Sequence, residues 1–125
     1  MSKSSKREIA LSFFDLVVTG KIREWFDEHT NEDLIHHNQY FKGDRETLIK
    51  AIEEDARANP DKKVEVKISL EDGDHVSTFS HVQQNPDDPG FALMHIFRFE
   101  DSTIVEMWDI HQAVMTDSPN DHGMF

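Results

Sequence analysis

Between Leu93 and Gln112 the chain reads LMHIFRFEDSTIVEMWDIHQ, two runs of alternating apolar and polar residues on either side of Glu100-Asp101-Ser102. Alternation is the signature of a strand, and a short polar interval between two such runs predicts a hairpin. Side chains two positions apart share a face of a strand. His95, Phe97 and Phe99 therefore fall together on the first run, opposite Met94, Ile96 and Arg98. On the second run Val105, Met107, Asp109 and His111 fall together, opposite Ile104, Glu106, Trp108 and Ile110. Arg98 and Glu106 are expected to form a structural cross-strand pair.

The same period of two starts at Lys62. Val64, Val66, Ile68 and Leu70 alternate with Lys63, Glu65, Lys67 and Ser69, and Asp72-Gly73-Asp74 is a hairpin signal. His75 to Gln84 predicts the return strand, with His75, Ser77, Phe79, His81 and Gln83 on one face, and Asn85 to Gly90 predicts a turn. The first half has the helical period instead. Ile9, Phe13, Leu16 and Val17, with Ser4 or Ser5 as cap and Gly20 as stop, predict a helix from Ser5 to Thr19. Ile22, Trp25 and Phe26 predict a short second helix ending near His29 to Asn31. Asp33 to Gln39 reads as a short extended segment or turn, and Tyr40 to Gly43 as a loop. Asp44 is a natural N-cap for a third helix with Leu48, Ile49, Ile52 and Ala56 on one face, ended by Asn59-Pro60-Asp61. Its acidic run, Glu53-Glu54-Asp55, reads as a solvated face. Three helices followed by four strands in two hairpins predict an α+β fold, with the helices packed on a curved, mostly antiparallel sheet. Such a sheet leaves a conical cavity. The tail, Ala113 to Phe125, is either a free end or an arm that packs Met124 and Phe125.

Composition narrows this picture. A chain of 125 residues is expected to be one domain, spanning 1–125. With 25 Asp and Glu against 13 Lys and Arg, nucleic acid and anionic membrane are not expected partners. The absence of cysteine excludes disulfides, thiol nucleophiles and Cys-ligated metal, and fits a cytoplasmic location. Asp15 interrupts the apolar run near the N-terminus, which argues for a helix and against a signal peptide.

The candidate chemistry is acid–base. His37, His81, His95 and Asp109 would meet if adjacent strands shared an inward face. Histidine titrates near neutrality, and apolar surroundings disfavour a carboxylate's charged form, which makes it a stronger base. Asn38, or a protonated histidine, could donate to a developing oxyanion. Together these groups suit proton abstraction next to a carbonyl. The rival is a metal held by the histidines and Asp109, although no HxxxH or HxH spacing is present. No GxGxxG, GxxxxGK[ST] or GxSxG occurs, which argues against dinucleotide, P-loop and hydrolase-elbow chemistry.

Ile35-His36-His37-Asn38, Ser80-His81-Val82, His95 to Asp101, and Ile104 to Asp109 with Gln112 resemble the SnoaL-like polyketide cyclase family of the nuclear-transport-factor-2-like superfamily. The resemblance covers nearly the whole chain. It implies a cone-shaped α+β barrel, usually dimeric, and a cofactor-independent lyase or isomerase of the aldol-condensation type. Asp109 matches the acid/base position and His95 its assistant; His37 or Asn38 matches a polar position on the early segment. This chain departs from the pattern of close relatives at His36, Gln39, His95 and Ser102.

The resulting expectation is catalysis by Asp109 with His95 and His81, on a small apolar carbonyl compound positioned by His37 and Asn38. Trp108, Phe97 and Phe79 would shape or support the cavity, and no cofactor is expected. The alternatives are a non-catalytic domain that binds a small ligand in the same pocket, a His/Asp metal-binding protein, and a dimerisation module. Outward Trp108 and Ile110, with the Met-Phe tail, would give a homodimer its interface.

Overall fold

The first helix starts where its cap predicts. In a computed structural model that describes residues 4–125, the Ser5 hydroxyl accepts the Glu8 N–H at 3.1 Å and the Glu8 carboxylate accepts the Ser5 N–H at 3.0 Å. This reciprocal box satisfies two helix-end donors. The helix is not continuous to Thr19: α1 (Lys6–Ser12) tightens into a 3-10 turn at Phe13–Asp15 before α2 (Leu16–Thr19). In that turn Phe13 and Phe14 both pack on Phe97, at 5.8 and 6.3 Å between centroids. Gly20, with φ 69°, ends α2 in the left-handed region that glycine adopts freely. The second and third predicted helices are α3 (Ile22–His29) and α4 (Arg45–Ala58), the latter capped by Asp44, which accepts the Thr47 N–H at 3.0 Å.

The strands are β1 (Thr30–His36), β2 (Lys63–Asp72), β3 (His75–Gln83), β4 (Phe91–Glu100) and β5 (Thr103–Ala113), in the spatial order β1-β5-β4-β3-β2. The four strands predicted in two hairpins are β2 to β5, paired antiparallel. β1 is the addition. It runs parallel to β5, with His36 opposite Met107, and makes the sheet mixed. A parallel partner about 70 residues away announces itself by no local turn. The sheet does not close on itself; β1 and β2 are its edges.

The concave face carries the core. Val76, Phe97, Phe99, Ile104 and Met107 are buried against Phe14, Trp25, Phe26 and Ile49, and each fully buried residue of this size stabilises the fold by about 1.5–3 kcal/mol. Strict alternation fails in both β2 and β5. The β2–β3 register shifts between Val66 and Ile68, so Ile68 and Leu70, expected on one face with Val64 and Val66, are exposed while those two pack on the core. The other shift is in the β4–β5 pair. Arg98 faces Glu106 but Phe99 faces Ile104, so β5 has a bulge and both Ile104 and Val105 are buried. Ile104 therefore does not share the outer face with Glu106 and Trp108. At the start of β4, Gly90 has φ 82°, and a Cβ there would lie 2.0 Å from the Val82 carbonyl oxygen; only glycine fits. The tail is an arm: Phe125 stacks on His81 at 4.3 Å, beside Phe79 at 5.6 Å, on the convex face. Residues 1–3 of the single domain expected over 1–125 lie outside the described residues. No helix among the described residues is long and apolar enough to cross a membrane.

Candidate functional site

Parity along the strands decides which polar side chains reach the interior. On β4 and β5 the odd-numbered positions His95, Met107 and Asp109 face the helices, as expected. His95 and Asp109 are direct cross-strand partners. On β3 the inward positions are even: Thr78 lies opposite His95 and Ser80 opposite Leu93. His81 and Phe79 therefore face outward and do not meet His95, contrary to expectation. Val76 and Val82, fully buried, mark the even face as the inner one, and Phe79 is covered by Phe125 on the outside. His37 is turned away from His95, although it lines a second cavity with Asn38, Asp109 and His111. Its backbone N–H extends the β1–β5 ladder to the Met107 carbonyl at 2.9 Å, so its side chain emerges on the convex face while His36 points inward. There His37 stacks on Trp108 at 5.0 Å and its Nε2 bonds Glu106 Oε2 at 2.6 Å. Glu106 also accepts from Arg98 Nε at 2.9 Å, the pair anticipated from the pattern. These donors hold the Glu106 carboxyl below its ordinary range, His37 foremost. Trp108 thus belongs to the outer cluster and does not line the cavity.

The concave side holds a cavity of about 360 Å³ between the sheet and the helices. Its wall is mainly apolar, including Phe13, Phe14, Leu48, Ile52, Val64 and Leu93. Its polar lining includes His95, Asp109 and Asn38, which lie together, and also His36, Tyr40 and His111. His95 Nε2 lies 3.9 Å from Asp109 Oδ2, and Asn38 donates its side-chain N–H to the same oxygen at 3.2 Å. The Asn38 amide is oriented by its own oxygen, which accepts the Tyr40 N–H at 3.0 Å. His36 fixes the same loop. Its Nδ1 accepts the Asn38 N–H at 3.2 Å, which places its proton on Nε2, bonded to the Lys42 carbonyl at 2.7 Å. Both nitrogens are occupied, so His36 is a neutral brace for Asn38.

His95 stands in the opposite condition. It is 5 % exposed, stacked on Phe97 at 5.4 Å with Phe13 and Phe14 against its ring at 5.3 and 5.5 Å. Phe97 therefore supports the site from behind without lining it. Burial pulls the His95 imidazole down from 6.5 to about 4; the Asp109 charge opposes this and the Lys62 charge adds to it. His95 Nδ1 is buried with no hydrogen-bond partner, as are the hydroxyls of Thr78 and Ser80 on the neighbouring strand. Asp109, with a side chain 20 % exposed, sits between this buried ring and the open end of the cavity. Among the described residues no group of three or more His, Asp or Glu converges as metal ligands do.

The sequence reading missed a second polar group in the wall. Asp55, expected on a solvated face, lines the cavity with Asn59 and Lys62. The missed signal was spacing: Asp55 follows Leu48 and Ile52 on the inner side of α4.

No family model matches the sequence, and no curated protein matches it. Solved structures do. A proposed polyketide cyclase from Bacillus cereus ATCC 10987 superposes with a TM-score of 0.72 at 22 % identity, over 86 % of this chain and 74 % of that one. A proposed SnoaL-like polyketide cyclase from Jannaschia sp. CCS1 gives 0.71 at 18 % identity, over 90 % and 91 %. A proposed ketosteroid isomerase from Kribbella flavida DSM 17836 gives 0.68 at 18 % identity, over 94 % and 85 %. The chain has the SnoaL-like, nuclear-transport-factor-2-like α+β fold. At these identities the likeness is one of fold, and function has to come from the site.

Proposed function

We propose that the protein is a cofactor-independent acid–base catalyst of the cyclase or isomerase type, acting on a small enolisable carbonyl compound. The observation that carries this reading is the pairing of Asp109 with a neutral, buried His95 at the polar end of an apolar cavity. Asp109 is the base. Its carboxylate takes the proton from the carbon next to the carbonyl, and the C–H electron pair moves into the enolate. The imidazole proton belongs on Nε2, where it faces the carboxylate; on Nδ1 it would be a buried donor without an acceptor. Nε2–H and the second N–H of the Asn38 amide are then the donors available to the enolate oxygen. Asp109 returns its proton to complete an isomerisation, or the enolate carbon attacks an internal carbonyl to close a ring.

The test is exchange of the α-protons of 2-tetralone with deuterium, followed by NMR. Asp109→Asn is expected to lower the rate by about 10²–10⁴-fold with the melting temperature retained; an unchanged rate would overturn the assignment. The 3.9 Å separation of His95 from Asp109 is longer than a hydrogen bond and favours a second reading, a non-catalytic binding domain. Tight binding of 2-tetralone with no exchange by the wild type would select it.

We also propose that a second copy of the chain covers the convex face, where Ile68, Leu70, Met94, Ile96 and Ile110 are 37–74 % exposed. Sedimentation at the mass of one chain would overturn this.

A further inference from the structure

The second polar group in the cavity wall is built by the end of α4. The helix stops at Asn59, and Asn59-Pro60-Asp61-Lys62 forms a turn in which the Lys62 N–H bonds the Asn59 carbonyl at 3.1 Å. Proline at the second position favours this turn. It folds Lys62 back over the last helical residues, so that its ammonium pairs with the Asp55 carboxylate. The same carboxylate accepts the Asn59 amide at 3.1 Å and the Gln84 amide at 3.2 Å, both on Oδ1. Asp55 is therefore well supplied with donors. Lys62 is not: an ammonium has three N–H donors, and Asp55 is its single side-chain or backbone acceptor among the described residues. Asp55, Asn59 and Lys62 all line the cavity that also contains His95 and Asp109. Between the two polar groups the wall is apolar, with Leu48, Ile52, Val64 and Val82 among its residues.

The arrangement selects among ligands. A compound with a single carbonyl would lay its apolar remainder against a lysine that lacks acceptors. A full anion at the second position would meet the Asp55 carboxylate as well as the ammonium. A neutral oxygen acceptor fits both constraints, because it takes a Lys62 N–H without adding charge beside Asp55. That the charge of Lys62 is felt at His95 is consistent with both lying on one cavity.

We infer that Lys62 is a specificity-determining residue: the cavity takes a bifunctional compound, with an enolisable carbonyl at Asp109 and His95 and a second, neutral oxygen acceptor bonded to the Lys62 ammonium. Asp55 acts through Lys62, as a positioning residue that holds the ammonium at the wall. The inference rests on the acid–base reading only for which end takes the carbonyl.

The experiment compares two probes by calorimetry, 2-tetralone and 6-methoxy-2-tetralone, which differ by one ether oxygen at the end remote from the ketone. Wild type is expected to bind the methoxy compound about tenfold more tightly, as a hydrogen bond from a charged donor gives. Lys62→Met should abolish that ratio by weakening the methoxy compound without weakening 2-tetralone, and Lys62→Arg, which keeps the donors, should restore most of it. A merely structural lysine would change both affinities together. A ratio near one in wild type, a ratio unaffected in Lys62→Met, or no binding of the methoxy probe overturns the inference. Deuterium exchange of 2-tetralone is read in the same samples. Exchange that persists while the ratio fails removes the role of Lys62 and leaves that of Asp109; a ratio that holds without exchange does the reverse.

Discussion

The two faces of the sheet contain the same kinds of side chain in opposite states. On the convex face His37 is bonded to Glu106 and stacked on Trp108, His81 bonds the Pro89 carbonyl at 2.9 Å and lies against Phe125, and Glu106 holds Arg98 as well. On the concave face His95 has an unpartnered Nδ1 and an Nε2 that approaches Asp109 without bonding it. The outer groups are satisfied by the fold; inside, His36 is satisfied too, but His95 is held in position and left incomplete. A buried polar atom without a partner costs about 1–3 kcal/mol, so a fold keeps one where something else completes it. Residue type is thus a poor guide to a site, and unsatisfied hydrogen-bonding capacity a better one.

The largest expected effect sets the two carboxylates against each other. Asp109→Asn should cost about 10²–10⁴-fold in exchange rate, whereas Glu106→Gln, on the other face of the same strand, should leave the rate within about twofold. Equal losses would erase the distinction. Next is the effect of acid on stability. The folded protein binds a proton at His95 only below about 4, while an unfolded histidine binds one near 6.5. Protons therefore favour the unfolded chain between those values. His95 contributes its full stabilisation above about 6.5, and about 3 kcal/mol of it is lost as the pH falls to about 4. Urea midpoints of wild type and His95→Leu should diverge in that window, with the variant falling less; parallel curves would mean that His95 is not held neutral. Over pH 5–8 His95 should contribute no inflection to the exchange rate. Smaller still is the outer ion network, where Glu106→Gln should cost about 1 kcal/mol or less in denaturation. The smallest effect is that of His81→Ala, which should leave exchange unchanged within error.

Legibility followed the same division. Periodicity located the helices and both hairpins because those signals are local. It placed His95 and Asp109 on one face because they sit on one hairpin; the β5 bulge, which alternation does not show, sets them directly opposite each other. It placed His81 and His37 wrongly, because their orientation depends on registers set elsewhere. For His81 the relevant register is that between β3 and β4, in which Thr78 and not an odd-numbered residue meets His95. For His37 it is the parallel pairing of β1 with β5, which no turn announces. Lys62 and Asp55 were hidden for a different reason. A charged helix face and a lysine just before a strand look solvated in sequence; Asp55 is inward by its spacing from Leu48 and Ile52 on α4, and the reversal at Pro60 brings Lys62 back to it.

The parallel pairing also sets an order of events. The bond from Asn38 to Asp109 joins residues 71 apart in the chain, and β1 has no partner until β5 has been made and paired with β4. During synthesis the helices and the first hairpin can form from neighbouring residues, while β1 waits as an unpaired edge. Closing so long a loop carries an entropic cost that local contacts do not. Docking of β1 needs β5 in place, and it brings in Leu34, part of the core, together with Asn38, so the last of the core and the polar end of the cavity are completed by the same pairing.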